Sequence, residues 1–157
     1  MTLTSLPELY LGFITTITTP ISYLFIVGCL YFLFKRREEA MDLLVILVIT
    51  LTLNYVLENI FQAPRPFVVD ENISNRFTEN TRGYSFPSGH SQLISCFCSY
   101  YILRYRNLIS WVLGTLMIVS VAYSRVYFGL HYTWDVVAGV ILGAGVSYFY
   151  LRYRKVG

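Results

Sequence analysis

Leu9–Phe34 reads LYLGFITTITTPISYLFIVGCLYFLF, without one charged side chain. A helix needs about 20 mostly apolar residues to cross the hydrocarbon core of a bilayer, and this run is long enough to do so. Leu43–Leu57, extendable to Phe61 if Glu58 is sheltered, is a second such run, followed by Phe86–Leu103, Leu108–Tyr123 and Tyr132–Leu151. Hydrophobic residues make up 55% of the chain and charged ones 13%, with a mean hydropathy of +0.55. The runs lack the polar alternation of barrel strands and are too long for them. The expected fold is therefore all-α, a polytopic membrane helix bundle with about five transmembrane helices, forming a single domain over residues 1–157. The N-terminal run is too long, and lacks the basic flank, for a cleaved signal peptide. Pro20 implies a kink in it, with the residues before about Thr15 lying on the membrane surface.

The basic residues orient the bundle. Lys35, Arg36 and Arg37 follow the first run, Arg104 and Arg106 the third, and Arg152, Arg154 and Lys155 the fifth, which puts eight cations on one side. The other side holds Arg65, Arg76, Arg82 and Arg125. Because Lys and Arg concentrate in cytoplasmic loops, residues 35–42, 104–107 and 152–157 are expected inside, and residues 62–85 and 125–131 outside. The net charge of +3 is thus explained by topology, and no nucleic-acid partner is expected. Cys29, Cys96 and Cys98 lie in apolar runs and read as buried free thiols. No internal repeat or low-complexity tract is present. The one long connection, Gln62–Ser85, is polar and contains Pro64, Pro66 and Gly83. Loops of that length tend to be functional.

The polar chemistry gathers on the outer side. Arg65 closes the second run, His90 opens the third within Pro87-Ser88-Gly89-His90, Arg125 closes the fourth, and His131 and Asp135 open the fifth. His90 and His131 are the chain's two histidines. His131 and Asp135 are four apart, so on a helix they share a face, and a carboxylate that takes one imidazole proton leaves the other nitrogen free as nucleophile or base. Pro87, Ser88 and Gly89 form a helix start whose free N–H groups and hydroxyl suit phosphate. Arg65 and Arg125 grip phosphate oxygens in a planar, bidentate way that lysine does not match. The set suits metal-free phosphoryl transfer, with one histidine to attack and the other to protonate the leaving oxygen. A structural role for the histidines is the plain alternative, since Pro-Ser-Gly is also an ordinary helix start. A metal site of two histidines and Asp135 is another, but clustered arginines repel a cation and no further ligand group supports it. No metal and no cofactor are expected.

These residues resemble the signature of the type-2 phosphatidic acid phosphatase superfamily, Lys-x6-Arg-Pro, Pro-Ser-Gly-His and Ser-Arg-x5-His-x3-Asp. The second part is complete as Pro87 to His90 and the third as Ser124, Arg125, His131 and Asp135. In the first part Arg65 and Pro66 fit, whereas the lysine position holds Glu58. The resemblance implies that His131 is the nucleophile forming a phosphohistidine, that Asp135 orients it and that His90 is the general acid. It implies that Arg65, Ser88, Gly89 and Arg125 hold the phosphate. A carboxylate at Glu58 is expected to turn away or to pair with Arg76 or Arg82, one of which replaces the missing cation. The superfamily usually has six spans, so the first is expected to be absent or reduced to a surface element. Soluble vanadium haloperoxidases share the signature, and the hydrophobicity excludes that branch.

The resemblance implies an enzyme of the inner, cytoplasmic membrane with its site facing the periplasm or exterior. Its substrate is a lipid phosphate whose tails stay in the bilayer. Lipid A 1-phosphate is the favoured substrate, with undecaprenyl diphosphate and phosphatidylglycerol phosphate as alternatives. Undecaprenyl diphosphate phosphatases of this superfamily often have Asp at the Gly89 position, which disfavours that choice slightly. A reading from another class is an anionic-lipid binding or transport protein that uses the same arginines without chemistry.

Overall fold

The computed structural model describes Tyr10, residues 20–32 and 34–70, Ile73, and residues 83–154. Expectations for residues before Pro20, and for Arg76, Arg82 and Lys155, lie outside the described residues. The elements are α1 (Pro20–Phe32), α2 (Arg37–Phe61), the single turn α3 (Pro66–Val69), α4 (Gly89–Tyr105), α5 (Leu108–Tyr127) and α6 (Thr133–Arg154). No strand occurs among the described residues.

Arg37–Val69, Leu108–Tyr127 and Thr133–Arg154 are long and apolar enough to cross a membrane. The other two expected spans differ from these. α1 is described over 13 residues. α4 is 17 residues long and runs through the middle of the bundle, packed on α2, α5 and α6. Its Ser91 to Phe97 are buried without a break, so α4 needs little apolar surface of its own against lipid. The outer helices are inverted relative to a water-soluble protein: Leu108, Ile109, Leu116 and Val119 of α5 and Ile141 of α6 are exposed, as a bilayer requires. The protein is an integral membrane protein.

The core joins Leu43, Ile46 and Leu47 of α2 to Leu93, Phe97 and Tyr100 of α4, with Val121 of α5 and Leu151 of α6. α4 turns into α5 in two residues. Arg106 adopts the left-handed conformation and returns its N–H to the Ile102 carbonyl, and Asn107 caps α5 by accepting from the Ser110 N–H at 2.8 Å. Cys96 is buried and Cys98 partly so, both as free thiols; the Cys29 side chain lies outside the described residues. Thr50 Oγ1 donates to Cys96 Sγ at 3.2 Å, which gives a polar tie between α2 and α4.

α4 and α6 meet backbone to backbone at Gly139 and Gly143. A Cβ on Gly139 would sit 2.6 Å from the Ser88 carbonyl oxygen, and one on Gly143 would sit 2.1 Å from that of Gln92. Small residues four apart allow such contact between membrane helices. Gly143→Ala is therefore expected to force the helices apart and cost on the order of 3 kcal/mol, read as a lower thermal midpoint in detergent. Gly145, with nothing within 4 Å of its Cβ direction, is the control, and Gly145→Ala should leave the midpoint unchanged. Equal midpoints for both variants would mean that the contact does not hold the helices together.

At the far end of α4 and α6 a second polar knot forms. Asp42 is buried and accepts from Tyr100 at 2.7 Å, Tyr150 at 2.8 Å and Arg154. Glu39 accepts from Tyr105 at 2.6 Å and pairs with Arg36 at 3.0 Å.

Candidate active site

The chain leaves α2 through Gln62 in the left-handed conformation, and the Ser85 N–H returns to the Ala63 carbonyl at 2.8 Å. This closes the base of the long polar connection and brings both of its ends to the mouth of the bundle. Arg65 is buried there. Its Nε faces the Gly83 carbonyl at 3.4 Å, and its Nη1 reaches the Leu130 carbonyl at 3.2 Å and His131 Nε2 at 3.3 Å. One guanidinium thus spans the loop before α4 and the turn before α6.

The spacing between Arg125 and His131 follows from how α5 ends. Gly129 takes φ +70°, a left-handed value that suits glycine. Leu130 and His131 then fold back to donate their N–H groups to the Arg125 carbonyl at 3.1 and 3.3 Å. His131 precedes the first residue of α6, Thr133, so the helical i, i+4 geometry expected for His131 and Asp135 does not apply. Nδ1 of His131 stands 3.8 Å from Asp135 Oδ2 but 2.8 Å from the Ser85 carbonyl oxygen. The Nδ1 proton therefore goes to the Ser85 backbone. Ser85 Oγ donates in turn to Asp135 Oδ2 at 2.5 Å, and the Tyr132 N–H donates to the same oxygen at 2.9 Å. Ser85 stands between the histidine and the carboxylate, and it was not among the residues expected from sequence. A serine two positions before a proline reads as turn chemistry, so only its closeness to the Pro-Ser-Gly-His run marked it.

At the start of α4, Ser88 is fully buried. Its N–H donates to the Asp135 carbonyl at 3.1 Å, and its hydroxyl lies 3.1 Å from that of Ser91. That hydroxyl is engaged within α4. Gly89 faces Asn54: a Cβ there would lie 3.0 Å from Asn54 Oδ1, while Asn54 Nδ2 donates to the Pro87 carbonyl at 3.0 Å and to Gln92 Oε1 at 3.2 Å. His90 is half-buried, lies in the electrostatic field of Arg125, His131 and Arg65, and has no hydrogen-bond partner for its enclosed Nε2 among the described residues. Arg125 is buried at the end of α5. Glu58 is at the rim, its Oε2 3.5 Å from where a Gly83 Cβ would be, and it lies in the electrostatic field of Arg65.

Burial pushes the His131 pKa below the ordinary value of 6.5; Asp135 and the Ser85 carbonyl oppose this, and Arg65 and Arg125 add to it. The imidazole is neutral at pH 7, its Nδ1 proton on Ser85 and its Nε2 lone pair turned to Arg65. A phosphate bound by Arg65 would meet that lone pair directly. The site thus combines a neutral imidazole with a fixed tautomer, two buried arginines, a second imidazole and the N-terminus of α4.

Residues 39–156 match the PAP2 superfamily. The chain belongs to this superfamily. It is similar to the undecaprenyl-diphosphatase of Sulfolobus acidocaldarius, with 33% identity over 132 residues that cover 83% of this chain and 63% of that protein. The PAP2 chain therefore spans less than two thirds of that relative's length. Among solved structures it resembles Aquifex aeolicus LpxE, with a TM-score of 0.83 and 21% identity over 96% of this chain and 88% of that one. It also resembles the transmembrane PAP2 type phosphatidylglycerolphosphate phosphatase of Bacillus subtilis, with a TM-score of 0.78 and 23% identity over 99% of this chain and 79% of that one. These likenesses establish a PAP2 membrane fold.

Proposed function

We propose that this PAP2 chain is a lipid phosphate phosphohydrolase that works through a phosphohistidine on His131. The observation that carries the reading is the held imidazole: Nδ1 fixed by the Ser85 carbonyl at 2.8 Å and Nε2 turned to Arg65 at 3.3 Å. Nε2 attacks phosphorus while the bond to the leaving oxygen breaks, and His90 gives that oxygen its proton. Water then attacks the phosphohistidine, His90 takes the proton from the water, and inorganic phosphate leaves with His131 restored. Arg65, Arg125 and the α4 N-terminus at Gly89 hold the phosphoryl oxygens, supplying the charge that a divalent cation gives in many phosphatases. Asp135 acts on His131 through Ser85 and Tyr132. Ser88 shapes the start of α4 and holds the Asp135 carbonyl.

Lipid substrates follow from the site's place at the mouth of an apolar bundle. Gly89 favours lipid A 1-phosphate slightly, because it departs from the Asp of many undecaprenyl diphosphate phosphatases. The named activity of the Sulfolobus relative weighs more, since it comes from 33% identity across most of the chain. A polyprenyl diphosphate is therefore the first substrate and lipid A 1-phosphate the second. Phosphate release in detergent from a panel of undecaprenyl diphosphate, lipid A and phosphatidylglycerol phosphate tests both the activity and the ranking. Release is expected from the diphosphate first, and to survive an excess of chelator. Tight binding without release would leave the binding-protein reading, and loss in chelator with rescue by a divalent cation would defeat the two-histidine scheme.

The pH dependence follows from the depressed pKa of His131. The free enzyme must hold His131 neutral to attack, so the acid limb of kcat/KM should fall below 6.5, the ordinary histidine value. The same shift has a sign for stability: neutral His131 favours the folded state fully above 6.5, and this contribution is lost as pH falls through the lower folded value. An acid limb above 6.5 would mean that burial does not set the protonation of the nucleophile.

A further inference from the structure

The end of the bundle away from His90 and His131 carries a concave site of another kind. The last turns of α4 and α6 border a half-open cavity of about 970 Å³ lined by Arg104, Arg106 and Arg152, with Tyr105, Tyr148 and Tyr153 as walls. Among the described residues no acidic side chain lines it. The carboxylates at this end stay outside its lining: Glu39 pairs with Arg36 at 3.0 Å, and Glu38 and Asp42 face Arg154. Arg104 lies 3.9 Å from both Glu39 and Asp42, whereas Arg106 and Arg152 form no ion pair with any described residue.

An inward concentration of Lys and Arg orients the chain wherever on that end the cations sit. It does not require three guanidinium groups to share one concavity, where Arg106 and Arg152, without an ion pair to any described residue, favour the entry of an anion. Guanidinium forks match phosphate oxygens, and tyrosine rings favour the membrane-water boundary. A second cavity, about 810 Å³, adjoins the first. It runs between α2 and α6 along Ile49, Leu53, Ile141 and Phe149 and shares Tyr153 with the arginine cavity. A polar bowl and an apolar groove on either side of one tyrosine match the two ends of an amphiphile.

We propose that this end is a second lipid site, which takes the phosphodiester headgroup of an anionic phospholipid among Arg104, Arg106 and Arg152 and lays an acyl chain in the α2/α6 groove. Its lining among the described residues includes no histidine and no carboxylate, so the lipid is bound and not hydrolysed. It belongs to the leaflet opposite the candidate active site. Basic pockets between transmembrane helices take anionic headgroups in this way.

Native mass spectrometry of the detergent-purified protein tests the proposal, with phosphatidylglycerol and phosphatidylcholine as probes. Phosphatidylglycerol should be retained and phosphatidylcholine not. The double variant Arg106→Gln/Arg152→Gln should weaken phosphatidylglycerol binding roughly thirtyfold, since each cation near an anionic lipid contributes about a factor of five. Both side chains are exposed, so an unchanged thermal midpoint without added lipid should show that the variant folds. Arg65→Gln, at the other end, should leave the adduct in place. Equal retention of the two lipids, unchanged binding in the double variant, or loss in Arg65→Gln instead would each overturn the proposal. Complete displacement by millimolar inorganic phosphate would also overturn the lipid assignment, by showing that the arginines read a free anion.

Discussion

His131→Ala is expected to abolish turnover and the covalent intermediate together. If Nε2 forms the bond to phosphorus, no other group within reach replaces it, because His90 sits on a different element with its Nε2 enclosed. The loss should be on the order of 10⁴-fold or more, the scale seen when a nucleophile is removed from a preorganised site. The partners of His131 should give graded, smaller defects. Ser85→Ala removes the hydroxyl that donates to Asp135 but keeps the carbonyl that holds Nδ1, so it should cost about tenfold to a hundredfold, the value of one hydrogen bond to a charged group. Asp135→Asn disturbs both the Ser85 hydroxyl and the Tyr132 N–H and should cost more than Ser85→Ala. A phosphate-labelled substrate gives the direct readout: an acid-labile, base-stable label on the wild type and none on His131→Ala. If Asp135→Asn matched His131→Ala while Ser85→Ala had no effect, the carboxylate would act on the imidazole directly and the intervening serine would be incidental.

That ordering shows which parts of the site can be read without coordinates. The gathering of Arg65, His90, Arg125 and His131 at one end of the bundle was legible, because each stands at the end of an apolar run and run ends alternate between the two membrane faces. His131 and Asp135 do come within 3.8 Å of each other, but the nearer partner of Nδ1 is the Ser85 carbonyl at 2.8 Å, because His131 lies in the turn fixed by Gly129 and not on the helix that carries Asp135. Ser85 was invisible because its role depends on a contact across 50 residues of chain, and local pattern carries no such information. The same holds for Asp42. In sequence it belongs to a charged helix start, yet it is buried by Tyr100 and Tyr150, whose hydroxyls need a partner once enclosed. The helical bundle itself was legible from its apolar runs, although apolarity identifies what avoids water and does not separate a helix facing lipid from one, like α4, packed among its neighbours.

His90→Ala should produce a defect that depends on the leaving group. A general acid contributes about 10²–10⁴-fold where the departing oxygen is basic, so an alkyl phosphate monoester, which must leave as an alkoxide, should lose most of its phosphorylation rate. A p-nitrophenyl ester leaves without a proton, and a polyprenyl diphosphate leaves as a weakly basic phosphate, so both should still phosphorylate His131. Their second step is a different matter, because His90 also takes the proton from the attacking water, as microscopic reversibility requires of a residue that serves both halves. The expected signature with p-nitrophenyl phosphate is therefore a burst of one equivalent of p-nitrophenol followed by slow turnover, with phosphohistidine accumulating above the wild-type level. With an alkyl monoester there should be no burst and no accumulation. Rapid-quench measurement of the phosphorylation rate on all three substrates separates the cases. A label that vanishes in His90→Ala and persists in His131→Ala would exchange the two roles, and equal rate losses on all three leaving groups would mean that His90 positions the phosphate without moving a proton.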